Sequence, residues 1–206
     1  MTSVVAPRVG DGRVARGERT RRCLADAMIS LIEEGDPDPT ARRVAERAGV
    51  SLRLVFHHFV DLESILRAAV EIQEERHWRQ VRPVEPTLPV GERVARVVRQ
   101  RAAVFQAIAP VRRSAELFRH SSPTVAAELA RARDGLRAQL LTTFAPELES
   151  RRPAEARLLL DALEVATSWD TWDQLERLDR SATACRRTME SLAVAVLSPP
   201  PVGGRP

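Results

Sequence analysis

The stretch TARRVAERAGVSLRLVFHHFVDLE, from Thr40 to Glu63, decides the interpretation of the whole chain. Two short helical patterns meet at Gly49, which can adopt the positive φ that a tight turn between crossing helices needs. Ala45, four residues earlier, is small enough to let the second helix pack closely. Thr40 and Ser51 are predicted N-caps, because their hydroxyl groups can accept otherwise unpaired backbone N–H groups. The pattern therefore predicts a helix-turn-helix unit.

The outer face of the second helix carries the chemistry. Val44, Ala48, Val50, Val55 and Phe59 supply the apolar positions that are expected to hold the two helices together. This leaves a face available to the outside, made of Leu52, Arg53, Leu54, His57 and His58. Arg and His near a helix N-terminus suit the major groove of DNA, where Arg can donate to guanine and the positive helix end meets phosphate. An Ala-xxx-Gly pattern between helices also occurs in proteins that do not bind DNA, so the pattern alone does not decide.

Charge and its distribution favour the DNA interpretation. The 32 basic residues are all Arg and are offset by 28 acidic ones, which leaves a formal net charge of +4. Residues 1–25 hold six Arg against two acidic residues, an excess of about four charges just ahead of the helix-turn-helix unit. A phosphate-facing segment would need such an excess. Residues 1–14 show no periodicity and are predicted to be a disordered arm.

Length and composition bound the other possibilities. The 206 residues are enough for one large or two modest domains. No apolar run reaches the roughly 18 residues of a membrane span, and no apolar leader is visible, so the expected location is the cytoplasm, without a membrane partner. Cys23 and Cys185 lie far apart without metal-ligand spacing, so each is expected to be a buried thiol.

Periodicity predicts helices along the rest of the chain. A first helix is expected from Ala15 to Gly35. The remaining predicted helices are Leu62 to about Val81, Val90 to Ala109, a short one through Phe118 and His120, Pro123 to about Phe144, Ala154 to Leu178, and Ser181 to Leu197. Pro110 is expected to end the helix before it, and Pro146 to Pro153 to form a break. Residues 198–206 are predicted to be a disordered tail.

This segment and the helix before it resemble the N-terminal DNA-binding domain of the TetR family of transcriptional regulators. The matching positions are Thr40, Val44, Ala45, Ala48, Gly49, Val50, Ser51, Val55, Phe56, His58, Phe59, Glu63 and Leu66. The resemblance implies an all-α fold, with a three-helix DNA-binding domain over residues 15–61 and a helical bundle for ligand binding and dimerisation over residues 62–197. The residues expected to lie nearest DNA are Thr40, Arg42, Ser51, Arg53, Leu54, His57 and His58.

The chain departs from the family pattern at three positions. His57 stands where Tyr is common, Arg53 where Gly is common, and Leu62 where a phosphate-contacting Lys is common. Base preference therefore cannot be carried over from the family. Adjacent helical residues point about 100° apart, which makes a metal shared by His57 and His58 awkward, and no metal site is predicted. If either histidine titrates near neutral pH, DNA affinity would depend on pH.

The C-terminal helices are interpreted as a dimer interface, because two-fold dimers present two recognition helices to a palindrome. The candidate interface residues are Leu163, Trp172, Leu175, Leu192 and Val196. A ligand pocket is expected from a second set, Phe105, Arg112, Phe118, His120, Phe144 and Trp169. For both sets, ordinary core packing stays an open alternative.

These observations predict a ligand-responsive, homodimeric DNA-binding regulator. The favoured role is a repressor released from a palindromic double-stranded DNA operator by an unidentified small molecule. An activator of the same fold and a helical adaptor that binds only protein are the alternatives. The chain has no Gly-rich phosphate loop, no HExxH and no nucleophile elbow, so neither an enzyme nor a cofactor is predicted.

Overall fold

The computed structural model describes residues 9–198 and is all-α over that range, as the sequence predicts. Ten α-helices and one 3-10 turn at Trp78–Gln80 occur there, and no strand. The helices are α1 (Val9–Glu33), α2 (Ala41–Ala48), α3 (Leu52–His58), α4 (Leu62–His77), α5 (Val90–Leu117), α6 (Pro123–Thr143), α7 (Ala145–Glu149), α8 (Pro153–Ala166), α9 (Trp169–Arg177) and α10 (Ala182–Leu197). None of them is long and apolar enough to span a lipid bilayer.

The first compact unit consists of two segments, the chain up to Arg76 and Ala109–Leu129. It is larger than the predicted domain of residues 15–61, because the core under α1 to α4 is completed by Val111, Ala115, Val125 and Leu129. These residues shield the apolar faces of α1 and α4 from water, which is favourable for folding. The boundary predicted at residue 61 therefore does not separate two cores.

The second compact unit comprises His77–Ile108 and the residues from Ala130 onward. Its largest fully buried apolar side chains are Phe105, Leu140, Phe144, Leu163, Trp172 and Met189. Within it α10 packs on α8 and on α9. The Phe105 ring meets Trp169 edge-on, with ring centroids 5.8 Å apart. This geometry is favourable for aromatic pairs and fills the interior.

Helix α5 continues through Pro110, so the predicted end of the helix at this proline is wrong. A proline inside a helix costs about 3 kcal/mol through a lost hydrogen bond and a steric clash. Burial of the Val111 side chain contributes about 2 kcal/mol. The Ser114 hydroxyl donates a hydrogen bond of 2.7 Å to the Pro37 carbonyl, which contributes about 1 kcal/mol. These contributions offset the proline, and Ala115 is fully buried in addition.

The predicted single helix from Ala154 to Leu178 is also wrong, because it is broken between α8 and α9. Ser168 caps α9 by accepting a hydrogen bond from the Thr171 N–H at 3.1 Å. The Thr167 N–H still donates to the Leu163 carbonyl. The Thr167 carbonyl, however, accepts from the Arg101 guanidinium and not from a backbone N–H of a continuing helix. The break therefore depends on a residue far away in sequence.

Smaller differences concern ends and single residues. Helix α1 begins at Val9, six residues before Ala15, in a stretch without apolar periodicity. The rest of the predicted N-terminal arm, and all but Ser198 of the predicted tail, lie outside the described residues. The short helix α7 occupies part of the predicted Pro146 to Pro153 break. Cys185 is buried as expected, whereas Cys23 is exposed on α1.

Candidate nucleic-acid interface

The turn between α2 and α3 has the geometry that the sequence predicts. The Thr40 hydroxyl caps α2 by accepting from the Arg43 N–H at 3.4 Å. Helix α2 ends at Gly49, whose φ of +67° lies in the left-handed region. The Gly49 N–H bonds to carbonyls of the last turn of α2, and only a residue without Cβ adopts this conformation at no steric cost.

Helix α3 is held from its buried side. The Ser51 hydroxyl accepts from the Leu54 N–H at 3.2 Å and so caps the helix. Val55 is fully buried and Phe59 is 2% exposed, one turn apart on the face that meets α1 and α2. Leu52, Arg53, Phe56 and His57 are thereby left exposed on the other side of the helix.

Arg21 of α1 fixes the far end of α3. Its guanidinium donates a hydrogen bond to the His58 carbonyl and lies 4.3 Å from the centroid of the Phe59 ring. A cation at a helix C-terminus is favourable, and the ring face adds a cation–π attraction. This role of Arg21 was not predicted, because 37 residues separate Arg21 from His58 and no local pattern joins them.

Five of the seven predicted DNA-contacting residues are exposed, and two are not. Thr40, Arg42, Ser51, Arg53 and His57 are exposed. Leu54 and His58 are half-buried. Two side chains of α3 outside the predicted set are more exposed than either of these, since Leu52 is 40% and Phe56 52% exposed. The position of Phe56 one turn after Leu52 is the signal that could have identified it.

The cations around α2 fall into two groups. Arg43 forms an ion pair with Asp36, and the two terminal nitrogens of the Arg47 guanidinium donate to the two carboxylate oxygens of Glu34. The Arg47 hydrogen bond is the main reason why the pKa of Glu34 lies below its usual value. Over residues 14–198, Arg42 and Arg53 take part in no ion pair. Two exposed cations are thus left for an external anion.

The surroundings of His58, at the end of α3, disfavour a positive charge on its imidazole. Burial lowers the pKa of His58, and the neighbouring charges of His57 and Arg21 lower it further, while Glu18 acts in the opposite direction. The folded chain therefore disfavours a positive charge on the His58 imidazole. Leu62 packs against the core of the first unit, so this position offers no polar group in place of the family's Lys.

The six residues predicted to line a ligand pocket are divided between the two units. Phe105, Phe144 and Trp169 are buried in the second unit. Arg112, Phe118 and His120 belong to the first unit, where Arg112 pairs with Glu116 and His120 is exposed in a turn. A depression in the first unit is lined by Phe118 but by none of the other five. Ligand binding by this set stays a prediction.

The second unit contains a buried guanidinium that the sequence did not reveal. Arg101 is fully buried, and its nitrogens donate to four oxygens of neutral groups: Gln139 Oε1 at 3.1 Å, Leu136 O at 2.6 Å, Thr167 O at 3.1 Å and Thr167 Oγ1 at 2.7 Å. Burial lowers the pKa of Arg101 to about 9, against an opposing effect of Glu164. Arg101 therefore ties together α5, α6 and the corner between α8 and α9.

Two of the predicted interface residues cannot present a surface. Leu163 and Trp172 are both 0% exposed within a single chain, so their assignment to the interface is wrong. Their side chains are used by the core of the second unit. Leu175 and Val196 are half-buried, and Leu192 is 44% exposed. More open apolar side chains lie on α8, where Leu158 is 70% and Val165 67% exposed.

In the part of the chain that the structure describes, no group of three or more His, Cys, Asp or Glu is placed to hold a metal ion. No protein-family model and no curated protein sequence matches the chain. The fold and the α2–α3 geometry define a helical protein with an N-terminal helix-turn-helix unit, and solved structures of this class resemble it.

A TetR-family transcriptional regulator from Streptomyces coelicolor is 21% identical with a TM-score of 0.67, over 87% of this chain and 82% of that one. A transcriptional regulator from Rhodococcus sp. Rha1 is 23% identical with a TM-score of 0.58, over 88% and 95% of the two chains. The multidrug binding protein EbrR, solved in complex with imidazole, is 17% identical with a TM-score of 0.61, over 89% and 97%. The chain has the fold of the TetR family of transcriptional regulators.

Proposed function

We propose that this protein is a DNA-binding transcriptional regulator of the TetR family and that α3 is its recognition helix. The observation that carries the proposal is the sorting of charge on the α2–α3 surface. Arg43 and Arg47 are neutralised by acidic partners within the unit, whereas Arg42 and Arg53 are exposed and unpaired over residues 14–198. Unpaired cations on a rigid, capped helix pair match the charge and the width of the major groove.

The two free cations take different roles in this proposal. Arg53 is the second residue of α3, and side chains near the N-terminus of a recognition helix reach base edges. An Arg there donates two hydrogen bonds to guanine. Arg42, in the first turn of α2, contacts phosphate instead. Phosphate contacts contribute affinity without sequence preference, whereas base contacts discriminate between sequences.

Selection of bound duplexes from a random library tests the proposal directly. The expected result is an enriched sequence, bound with an affinity that falls steeply as salt is added. Arg42→Gln should lower the slope of log affinity against log salt by about one and weaken all sequences alike. Arg53→Ala should instead relax the preference at one position. Arg99→Gln, which removes an exposed cation of the second unit, is the matched control and should leave the slope unchanged. Failure to enrich any sequence would contradict the proposal.

We further propose that the protein acts as a homodimer on a palindromic operator. The supporting observation is the exposed apolar surface on neighbouring helices of the second unit, with Leu158 and Val165 on α8 and Leu192 on α10. A single helix-turn-helix unit reads few bases, and a two-fold dimer doubles the length that is read. Binding to an operator that overlaps a promoter would block transcription, so the protein would act as a repressor.

Release of the operator by a small molecule completes the proposal. It is supported by the similarity of the chain to a multidrug binding protein. Screening compounds for displacement of the selected duplex tests this part, and the expected result is competition without loss of folding. A screen that finds stabilising ligands but no displacement would contradict release.

A further inference from the structure

The outward surface of α3 is arranged in two adjacent rows. Leu52 and Phe56 stand one turn apart and form an apolar row, with 40% and 52% of each residue exposed. Arg53 and His57, also one turn apart, form a polar row beside it. Leu54 is half-buried on the other flank of the polar row.

About half of the apolar row is left uncovered by the described chain, since Leu52 is 40% and Phe56 52% exposed. The buried face of α3 is formed by Val55 and Phe59 instead. Helix α3 has no acidic residue, and Arg42 and Arg53 on the same surface are unpaired over residues 14–198. A partner that covers this row must therefore be anionic nearby and apolar where it touches Leu52 and Phe56.

We propose that Leu52 and Phe56 contact the 5-methyl groups of thymines in the major groove and thereby select A·T pairs within the half-site. This inference rests on the proposed DNA-binding function and specifies how part of the sequence is read. Neither Leu nor Phe can form hydrogen bonds to base edges with its side chain. The thymine methyl group is the one apolar feature that the major groove offers them.

Discrimination between A·T and G·C pairs follows from the loss of binding when the apolar row lies over a G·C pair. Over a G·C pair, Leu52 or Phe56 displaces water from polar base edges without replacing its hydrogen bonds. An unpaired, dehydrated polar group weakens binding on the order of tenfold. Arg53 beside the row favours guanine. The expected half-site therefore combines a guanine with neighbouring thymines.

Replacement of thymine by deoxyuridine in the selected duplex is the test, because it removes only the 5-methyl group. The full-length wild type should lose about fourfold in affinity at each contacted methyl, as expected for one buried methyl group. Phe56→Ala should bind the thymine duplex more weakly and should no longer distinguish thymine from deoxyuridine at the position that Phe56 faces. Phe56→Leu, which keeps an apolar side chain, should retain part of the distinction. Val60→Ala, at a residue that is 91% exposed just beyond α3, should behave as wild type.

The outcomes separate the two proposals. If the wild type binds its selected duplex and deoxyuridine has no effect at any position, the thymine inference is overturned while DNA binding stands. If no duplex is selected, both fail, as they would if this surface met a protein. If Phe56→Ala and Leu52→Ala both fold, with unchanged thermal midpoints, and keep the full response to deoxyuridine, the assignment to these side chains is overturned.

Discussion

At the scale of single residues, the left-handed Gly49 is the most sensitive position of the α2–α3 turn. Gly49→Ala should destabilise the protein by about 1–2 kcal/mol, because an L-residue with Cβ is strained at this φ. Thermal or denaturant unfolding measures the loss. Gly91→Ala is the matched control, since Gly91 lies in α5 and a Cβ there meets open space. That variant should be neutral or slightly stabilising, and an equal loss in both variants would contradict the strain argument.

His58 makes stability depend on pH with a definite sign. Burial, His57 and Arg21 lower the pKa of the folded imidazole below the unfolded value of about 6.5. The unfolded chain then binds more protons in that range, so stability is full above pH 6.5 or so and declines as the pH falls through the folded pKa. His58→Gln should flatten the decline in thermal midpoint between pH 7.5 and pH 5. An unchanged pH profile would show that His58 does not carry this effect.

Sequence reasoning works at this scale where the deciding contact is local. Thr40, Gly49 and Ser51 act within three or four residues of themselves, and the structure confirms each of them. Arg21 acts on His58 across 37 residues, and its role therefore leaves no mark in local spacing. Phe56 was missed for a related reason. Periodicity shows which residues share a face but not which face the rest of the chain covers.

At the scale of elements, the corner between α8 and α9 depends on the buried Arg101. Thr167→Val keeps the shape of the side chain but removes the hydroxyl that accepts from the guanidinium and donates to Leu163. A hydrogen bond to a charged group contributes about 2 kcal/mol, so we expect a loss of that size in the free energy of unfolding.

Thr142→Val is the control for this substitution. The Thr142 hydroxyl also donates to a carbonyl four residues earlier, that of Ala138. Thr142 is exposed, however, and its hydroxyl accepts no hydrogen bond from a cation among the described residues. Exposed substitutions of this kind change stability by about 0.5 kcal/mol or less. Equal effects of the two Thr to Val changes would show that the contact with Arg101 contributes nothing.

Element boundaries were predictable where a cap or a turn residue marks them. The predicted start of α6 at Pro123 agrees with the structure, because Ser122 can cap a helix whose first residue is proline. Pro110 and Thr167 were misjudged because tertiary contacts override the local signal in opposite directions. Packing beyond Pro110 carries α5 through a helix breaker, whereas Arg101 interrupts an apolar series that otherwise reads as one continuous helix.

For the whole molecule, the exposed apolar side chains of α8 and α10 predict the assembly state. The double variant Leu158→Arg, Leu192→Arg should be monomeric under conditions where the wild type is a dimer, with a dimer dissociation constant raised on the order of 100-fold or more. Sedimentation at micromolar concentration measures the difference. Leu117→Arg, at a residue 63% exposed on α5, should leave the dimer intact. A monomeric wild type would contradict the prediction.

The exposed apolar surface of the second unit was only partly predictable, because the same apolar pattern marks both core residues and exposed residues. Leu163, Trp172 and Leu192 all lie on strongly apolar helices, yet the first two are core residues and the third is exposed. Sequence identifies the helices, but the division between inner and outer faces depends on which neighbours cover them. The all-α class was easier to predict, since it needs only the helical period.

The exposure of Cys23 has a practical consequence for studying this protein. The chain has two cysteines, and burial raises the pKa of the Cys185 thiol, which makes it a poor nucleophile. A maleimide fluorophore should therefore label the unmodified protein at a single place. Cys23 lies on α1 two residues from Arg21, the residue that holds the end of α3. The proposed binding to an operator can thus be followed by fluorescence anisotropy without engineering a reporter into the chain.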